Sequence, residues 1–252
     1  MKRQILFVLI ALSYGFASYA QDVNVLLKEA QNFERTQKEE QALQKYGEVM
    51  KVDRNNLQAL IRSAELSSAI GARQKDKKVK ISYYNAAKGY ADAALLIDSN
   101  SADANYVRAV VAGKLTDVES DNKKIVEHVR DIKVYADKAL AINPKHGKAN
   151  YVIGKWHFEM VSLAWAKRAA VKVLYGGLPE AKIEEAFKYM ENARVYDQYF
   201  VLNYLDLAKA YKYDNKPAKA IEVLNKLVKL PIRTADDAAL KEEGRTLLSE
   251  MQ

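Results

Sequence analysis

Apolar side chains recur at helical spacing along most of the chain, and short polar turns interrupt them at regular intervals. Val52, Ile97 and Ile142 each open a polar turn that ends one helical stretch and precedes the next. These turns follow one another at a spacing of 45 residues, from 52 to 97 and from 97 to 142. A fourth turn lies at 195–198, and a fifth stretch ends at 230–231. The pattern predicts a repeat built from paired helices.

The residues that follow the turns repeat as well. An Asn-Tyr pair, at 105–106, 150–151 and 203–204, lies at the same distance after the second, third and fourth turns. Self-similarity of this kind is typical of stacked units, each of which buries its apolar face against its neighbours.

Two of the units resemble the tetratricopeptide repeat, a helix–turn–helix of about 34 residues with small and large side chains at fixed places. The last unit carries Leu207, Ala208, Tyr211, Ala220, Leu224, Leu227 and a terminal Pro231, and the first carries Ala30, Phe33, Ala42, Tyr46 and Val49. Gly154 fits the same pattern, because a small residue is needed where two helices touch. The resemblance implies an all-α fold, a tetratricopeptide-like solenoid of helical hairpins.

We expect a domain over 21–252 with five helix pairs and a capping helix, at 23–56, 57–101, 102–146, 147–200, 201–233 and 234–250. The two middle units exceed the repeat by about 11 residues, or three helical turns, so elongated helices would keep their faces aligned. The fourth unit holds an insertion at 165–179, with a helix break at Gly176-Gly177. Whether this insertion covers the groove of the solenoid stays open.

Composition agrees with a helical domain and removes several function classes. The 252 residues include only 10 glycines and 4 prolines, too few for the many turns of a β-sandwich or barrel. The chain has no cysteine, which excludes disulfides, thiolate metal sites and thiol catalysis. Its net charge of +8 is scattered, with acids between the bases, unlike the concentrated basic face of a nucleic-acid binder. We therefore expect no nucleic-acid partner.

The first twenty residues have the pattern of a secretory signal peptide. Lys2 and Arg3 precede the unbroken apolar run 5–12, and 18–20 has small residues at the two positions that a signal peptidase recognises. A membrane-spanning helix needs about 20 apolar residues, more than this stretch has. We expect cleavage after Ala20, no transmembrane segment in the mature chain, and export to the bacterial periplasm.

Residues that could carry catalysis are dispersed. His128, His146 and His157 lie far apart in the sequence and in none of the known metal-binding spacings. We expect His146 to be exposed in its turn and His157 to have a structural role. Phosphate-binding loops and nucleophile motifs are missing from the sequence. The prediction is a protein without enzymatic activity, cofactor or metal.

A second resemblance covers roughly residues 80–250. The segments 154–160, 162–168, 209–212 and 230–237 are similar to the regulator of microtubule dynamics family. This resemblance implies an extended tetratricopeptide domain that acts as an adaptor, with some eukaryotic members linked to lipid handling, and no conserved enzymatic chemistry. The signal peptide departs from that family, because an exported bacterial protein meets no microtubules.

The first helix of each pair should line a concave groove, with side chains at helical spacing. Its partner-binding candidates, beside Ile61 and Glu65 at the start of the groove, are Tyr106, Val110, Tyr151, Lys155, Phe158, Glu159, Leu205, Lys209 and Lys212. Tyr106 and Tyr151 could equally pack between repeats. Structural roles are expected for Gly154, Trp156, Trp165, Ala208, Tyr211, Ala220 and Pro231.

The leading hypothesis is a scaffold that binds a protein or peptide segment of unknown identity in this groove, since aromatic anchors with a few charges suit peptide recognition. The alternative is a carrier of a lipid or another amphipathic small molecule. A continuous apolar lining of more than a few hundred Å³ would favour the carrier, and a polar, open groove would contradict it.

Overall fold

A computed structural model describes residues 23–163, 171–177 and 179–252 of the protein. These residues form helices and connecting turns, with no strand among them. The helices are α1 (23–35), α2 (Glu39–Val52), α3 (Leu57–Arg73), α4 (Lys77–Ile97), α5 (Ala102–Thr116), α6 (Asn122–Ile142), α7 (Gly147–Ser162), α8 (171–175), α9 (Ile183–Tyr196), α10 (Val201–Tyr213), α11 (Pro217–Leu227) and α12 (Asp237–Ser249). The predicted signal peptide lies outside the described residues and stays a prediction.

The helices pack as successive hairpins. Helix α3 packs against α4, α5 against α6, α7 against α9, and α10 against α11. The first helices of these pairs also contact one another in chain order, α3 with α5, α5 with α7 and α7 with α10, and form the inner layer. Helix α12 packs on α10 and α11 and covers the last pair. The predicted all-α helical solenoid is confirmed.

The middle pairs owe their length mainly to their second helices. Helices α4 and α6 have 21 residues each, whereas α11 has 11. The longer helices extend the same hairpin without an interruption, as the added whole turns require. None of the helices in the described ranges is both long and apolar enough to cross a membrane.

The recurring polar turns are built from side chains that accept backbone hydrogen bonds. The N-cap side chains of α3, α5 and α7 accept from the backbone N–H three residues on, at 3.0 to 3.2 Å; these residues are Asn56, Ser101 and His146. Each of them satisfies one of the backbone N–H groups that a helix start leaves without an intrahelical partner. The turn sequence therefore ends one helix and starts the next.

The asparagine of the Asn-Tyr pair holds the preceding turn. The amide nitrogen of Asn105 donates to the carbonyl oxygens of Ser99 (3.0 Å) and Ser101 (2.8 Å). The amide nitrogen of Asn150 makes the same two contacts one repeat later, to Pro144 and His146, each at 3.0 Å. Both asparagines are buried. Asn203 differs, because its amide donates to the carbonyl of Met190 in the preceding helix.

Small residues allow the helices of a pair to approach closely. A Cβ atom on Gly154 would lie 2.6 Å from the Met190 side chain and 3.0 Å from the carbonyl oxygen of Ala186, so α7 and α9 touch here through their backbones. Ala208 and Ala220 are fully buried, and Trp156 and Tyr211 are nearly so. Pro231 is exposed after the end of α11. Trp165 lies outside the described residues.

The described part of the insertion contacts an outer helix. Arg130 of α6 donates to the carbonyl oxygen of Tyr175, at the end of α8, and its guanidinium lies 4.7 Å from the centre of the Tyr175 ring. Gly176 and Gly177 follow with φ of +84° and +135°, a backbone conformation that favours glycine and ends the helical segment.

Candidate partner-binding groove

The inner helices place the predicted groove residues at different depths. Lys155, Lys209 and Lys212 keep 40%, 37% and 47% of their side-chain surface exposed. Glu159 is exposed, and Val110 and Phe158 are partly buried. Leu205 has no exposed surface, because it lies among the core residues of the last pair, so it is not available to a partner.

The two groove tyrosines pack between neighbouring repeats. The Tyr106 ring lies 5.0 Å from the ring of His146, which belongs to the next pair. The Tyr151 ring meets Phe200 edge-on at 4.9 Å, and its hydroxyl donates to Asp206 at 2.7 Å. The sequence left open whether Tyr106 and Tyr151 bind a partner or pack between repeats. These contacts are packing contacts.

Asp206 connects the inner helices α7 and α10, and the sequence-based prediction did not include it. Its side chain is buried, accepts from Tyr151 and from the ammonium of Lys155 at 2.8 Å, and lies 3.8 Å from that of Lys209. Burial, together with the Asp206 charge, raises the pKa of Tyr151 well above its usual value. Burial is the largest influence on Lys155 and lowers its pKa, but Asp206 and Glu159 together outweigh it and the pKa is raised. The sequence does contain a sign of this role, because Asp206 is the single acid in the mostly apolar stretch 201–208.

A pocket of about 490 Å³ lies where the N-terminal ends of α3, α5 and α7 meet. Its polar lining includes Arg62, Glu65, Asp103, His146 and Lys148, beside the apolar Leu57 and Ile61. Arg62 is bound by Glu34 and Glu65, and Lys148 lies 3.0 Å from Glu65. Charged side chains joined in ion pairs lie among the apolar groups of this lining, an arrangement that does not favour a lipid carrier.

His146 is largely buried, contrary to the expectation that it is exposed. Its Nδ1 accepts from the backbone N–H of Ala149, and its Nε2 lies 3.0 Å from Asp103. The hydrogen bond to His146 lowers the pKa of Asp103. The turn position suggested solvent exposure, but the N-cap role draws the ring against the helix end and against Tyr106.

The other histidines are separate from this pocket. His157 is buried, and its Nδ1 accepts from the backbone N–H of Lys182 at 3.3 Å. Burial lowers the pKa of both His157 and His128. In the described ranges, no group of three histidine, aspartate or glutamate side chains could hold a metal ion. The arrangement offers hydrogen bonds, charges and apolar contacts to a bound segment.

Two solved structures share this architecture. A thermophilic TPR protein of Thermus thermophilus aligns with 90% of this chain and 99% of its own, with a TM-score of 0.65 and 13% identity. PilW, a widely conserved type IV pilus biogenesis factor, aligns with 92% of this chain and 90% of its own, with a TM-score of 0.56 and 18% identity. At these identities the likeness concerns the fold alone. The chain is a tetratricopeptide-like helical solenoid.

Within that class, the sequence signature of the Regulator of microtubule dynamics protein 1-3 family matches residues 26–252, and the chain belongs to this family. Regulator of microtubule dynamics protein 1 of Caenorhabditis elegans is 28% identical over 96 residues, which are 38% of this chain and 42% of that protein. The Rattus norvegicus protein of the same name is 30% identical over 100 residues, 39% of this chain and 32% of the relative. The chain thus covers less than half the length of these relatives.

Proposed function

We propose that the protein is a non-enzymatic interaction scaffold whose inner helices bind an extended segment of a protein partner. The observation that carries the proposal is the mixed surface of α7 and α10, where half-exposed lysines and Glu159 flank Phe158. Partly exposed aromatic and apolar groups supply contact area, and flanking charges supply orientation. Solenoids use such inner surfaces because several repeats contribute to one continuous site.

The tetratricopeptide-like fold and the family membership support a scaffold over a catalyst. The pocket at the N-terminal ends of α3, α5 and α7 contains paired charges among its apolar groups and gives no support to the lipid-carrier alternative. Export of the protein, and therefore a partner in the bacterial envelope, rests on residues 1–20 alone and stays an expectation.

Selection from a phage library of short random peptides tests this proposal. The best peptide is synthesised, its affinity is measured by fluorescence anisotropy, and its footprint is mapped by hydrogen–deuterium exchange. We expect protection on α5, α7 and α10. Two exposed glutamates provide matched variants: Glu159→Trp on inner helix α7 and Glu127→Trp on outer helix α6.

The bulky inner side chain should weaken peptide binding by about tenfold or more, since it fills space that the peptide needs. The outer substitution should leave the affinity unchanged. Selection of no peptide, or a footprint on α4, α6 and α9, would contradict the proposal.

A further inference from the structure

Lys114 lies in the last turn of inner helix α5, four residues after Val110 and eight after Tyr106. This spacing places the three side chains on one helix face. The charges that act on Lys114 come from several elements: Asp117 beyond its own helix, Lys155 of α7, Asp236 before α12 and Lys80 of α4. Lys114 is therefore within electrostatic range of α4, α7 and the segment before α12.

Lys114 differs from the other lysines of α5, α7 and α10 in having no carboxylate partner among the described residues. Each of the others lies within 4.0 Å of a carboxylate oxygen: Lys148 near Glu65, Lys155 near Asp206, Lys209 near Glu243, and Lys212 near Glu250. Residues 164–170, which the structure does not describe, include no aspartate or glutamate. Asp236, an acid of the segment before α12 that also acts on Lys114, is bound by Arg73 at 3.0 Å.

This ammonium is partly buried, and burial lowers its pKa despite the nearby acids. A desolvated charge without a counter-charge costs free energy, which an added anion recovers. Lys80 and Lys155 add positive charge around the same point. Lys114 therefore has no direct ion-pair partner among the described residues, whereas the other lysines of α5, α7 and α10 each have one.

We propose that Lys114 binds an aspartate or glutamate side chain of the segment held in the groove. This inference rests on the proposed function and adds the chemistry of the partner. A side-chain carboxylate would supply the direct ion pair that Lys114 lacks among the described residues. A side-chain carboxylate also extends from the peptide backbone toward a partly buried group, so a free C-terminus is not required.

The test compares peptide selections on the wild-type protein, Lys114→Met and the control Lys138→Met. Lys138 is exposed on outer helix α6, so its substitution makes the same charge change outside the groove. Peptides displayed as N-terminal fusions have no free carboxyl terminus. We expect the wild type and Lys138→Met to select peptides enriched in acidic residues, and Lys114→Met to select peptides without that enrichment.

A double-substitution cycle with the best amidated peptide then locates the contact. Changing its key acid to the amide should weaken binding to the wild type about tenfold, and should change binding to Lys114→Met little. Lys114→Gln repeats the measurement with a polar side chain, and circular dichroism verifies that each variant is folded.

The outcomes separate this inference from the proposed function. Peptides without acidic enrichment, or an equal loss in wild type and Lys114→Met, would overturn the role of Lys114 and leave the scaffold intact. If no peptide is selected, the proposed function fails. Binding to phosphatidic acid vesicles that depends on Lys114, without any selected peptide, would assign the lysine to a lipid phosphate and overturn both.

Discussion

At the scale of single residues, Asn105 and Asn150 connect the turns to the helices that follow them. Each buried amide donates to two carbonyl oxygens, one in the turn and one at the N-cap of the next helix. The same two hydrogen bonds occur one repeat apart, and they explain why asparagine recurs at positions 105 and 150. Removal of the amide would take both hydrogen bonds from the turn, and only the N-cap carbonyl would keep a bond, to the backbone N–H of the same residue.

We expect Asn150→Ala to lower the free energy of unfolding by about 1–3 kcal/mol, because a buried side chain no longer donates its hydrogen bonds to the turn. Urea unfolding followed by circular dichroism measures the change. Asn100→Ala is the matched control, since Asn100 is an exposed asparagine in the preceding turn and its side chain makes no hydrogen bond among the described residues. Equal losses for the two variants would contradict the role assigned to Asn150.

The sequence indicated that the Asn-Tyr pairs matter, but it could not give their roles. Hydrogen bonds from Asn150 to Pro144 and His146 depend on the path of the turn, which residue spacing leaves open. For the same reason, helical register placed Leu205 on the groove face although it is buried in the core. Asp206, Arg62 and Lys114 were missed because their importance depends on charges from other repeats.

At the scale of helices, the contact between α7 and α9 depends on a glycine, Gly154, which has no side chain to separate them. Gly154 faces the Met190 side chain and the backbone of α9, and an added Cβ would come within 2.6 Å of the Met190 Cγ atom and 3.0 Å of the Met190 backbone nitrogen. Distances this short require the helices to separate, and tightly packed interiors resist such shifts. The small residue therefore sets how closely this pair packs.

Gly154→Ala should lower the free energy of unfolding by about 1–3 kcal/mol through overpacking. The opposite result is expected for Gly89→Ala, in the exposed part of α4, where a Cβ meets no atom within 4 Å. That substitution should stabilise the protein by about 0.5–1 kcal/mol, because alanine loses less conformational freedom in a helix than glycine. Both values follow from urea unfolding, and stabilisation by Gly154→Ala would contradict the close contact.

The starts of α3, α5 and α7 were predictable because the turns before them contain side chains that accept backbone hydrogen bonds. Asn56 and Ser101 occupy the N-cap positions of α3 and α5 as side chains that favour a helix start. The resemblance to tetratricopeptide repeats then supplied the packing of one hairpin on the next. The bounds inside the insertion were less predictable, since Gly176 and Gly177 mark an end of helix without giving the contact between Tyr175 and Arg130.

At the scale of the whole molecule, the described residues form three core clusters, and each contains at least one buried tyrosine. Tyr46 belongs to the first pair, Tyr84 and Tyr151 to the middle pairs, and Tyr211 to the last. A contact that no local pattern indicates joins the two ends: Arg73 of α3 binds both Glu39 and Asp236. The curvature that brings Asp236 to the second pair depends on the sum of small rotations between repeats.

The buried tyrosines predict a loss of stability in alkaline solution. Burial is the main cause that raises the pKa of all four, to about 12 for Tyr84, above the value of 10.0 for a free tyrosine. Between these values the folded protein binds more protons than the unfolded chain, so the stabilisation is complete below pH 10 and is lost as the pH rises through the folded-state pKa.

We expect the free energy of unfolding to fall above pH 10 by as much as about 1.4 kcal/mol per pH unit for each such tyrosine. Urea unfolding at several pH values, with tyrosinate absorbance recorded in parallel, measures this dependence. Tyr84→Phe should reduce the slope, because it removes one titrating hydroxyl and preserves the buried ring. The control Tyr196→Phe removes the hydroxyl of an exposed tyrosine and should leave the slope unchanged. If Tyr84 ionises near pH 10 while the protein remains folded, its hydroxyl is accessible to water, and the packing described for the middle pairs is wrong.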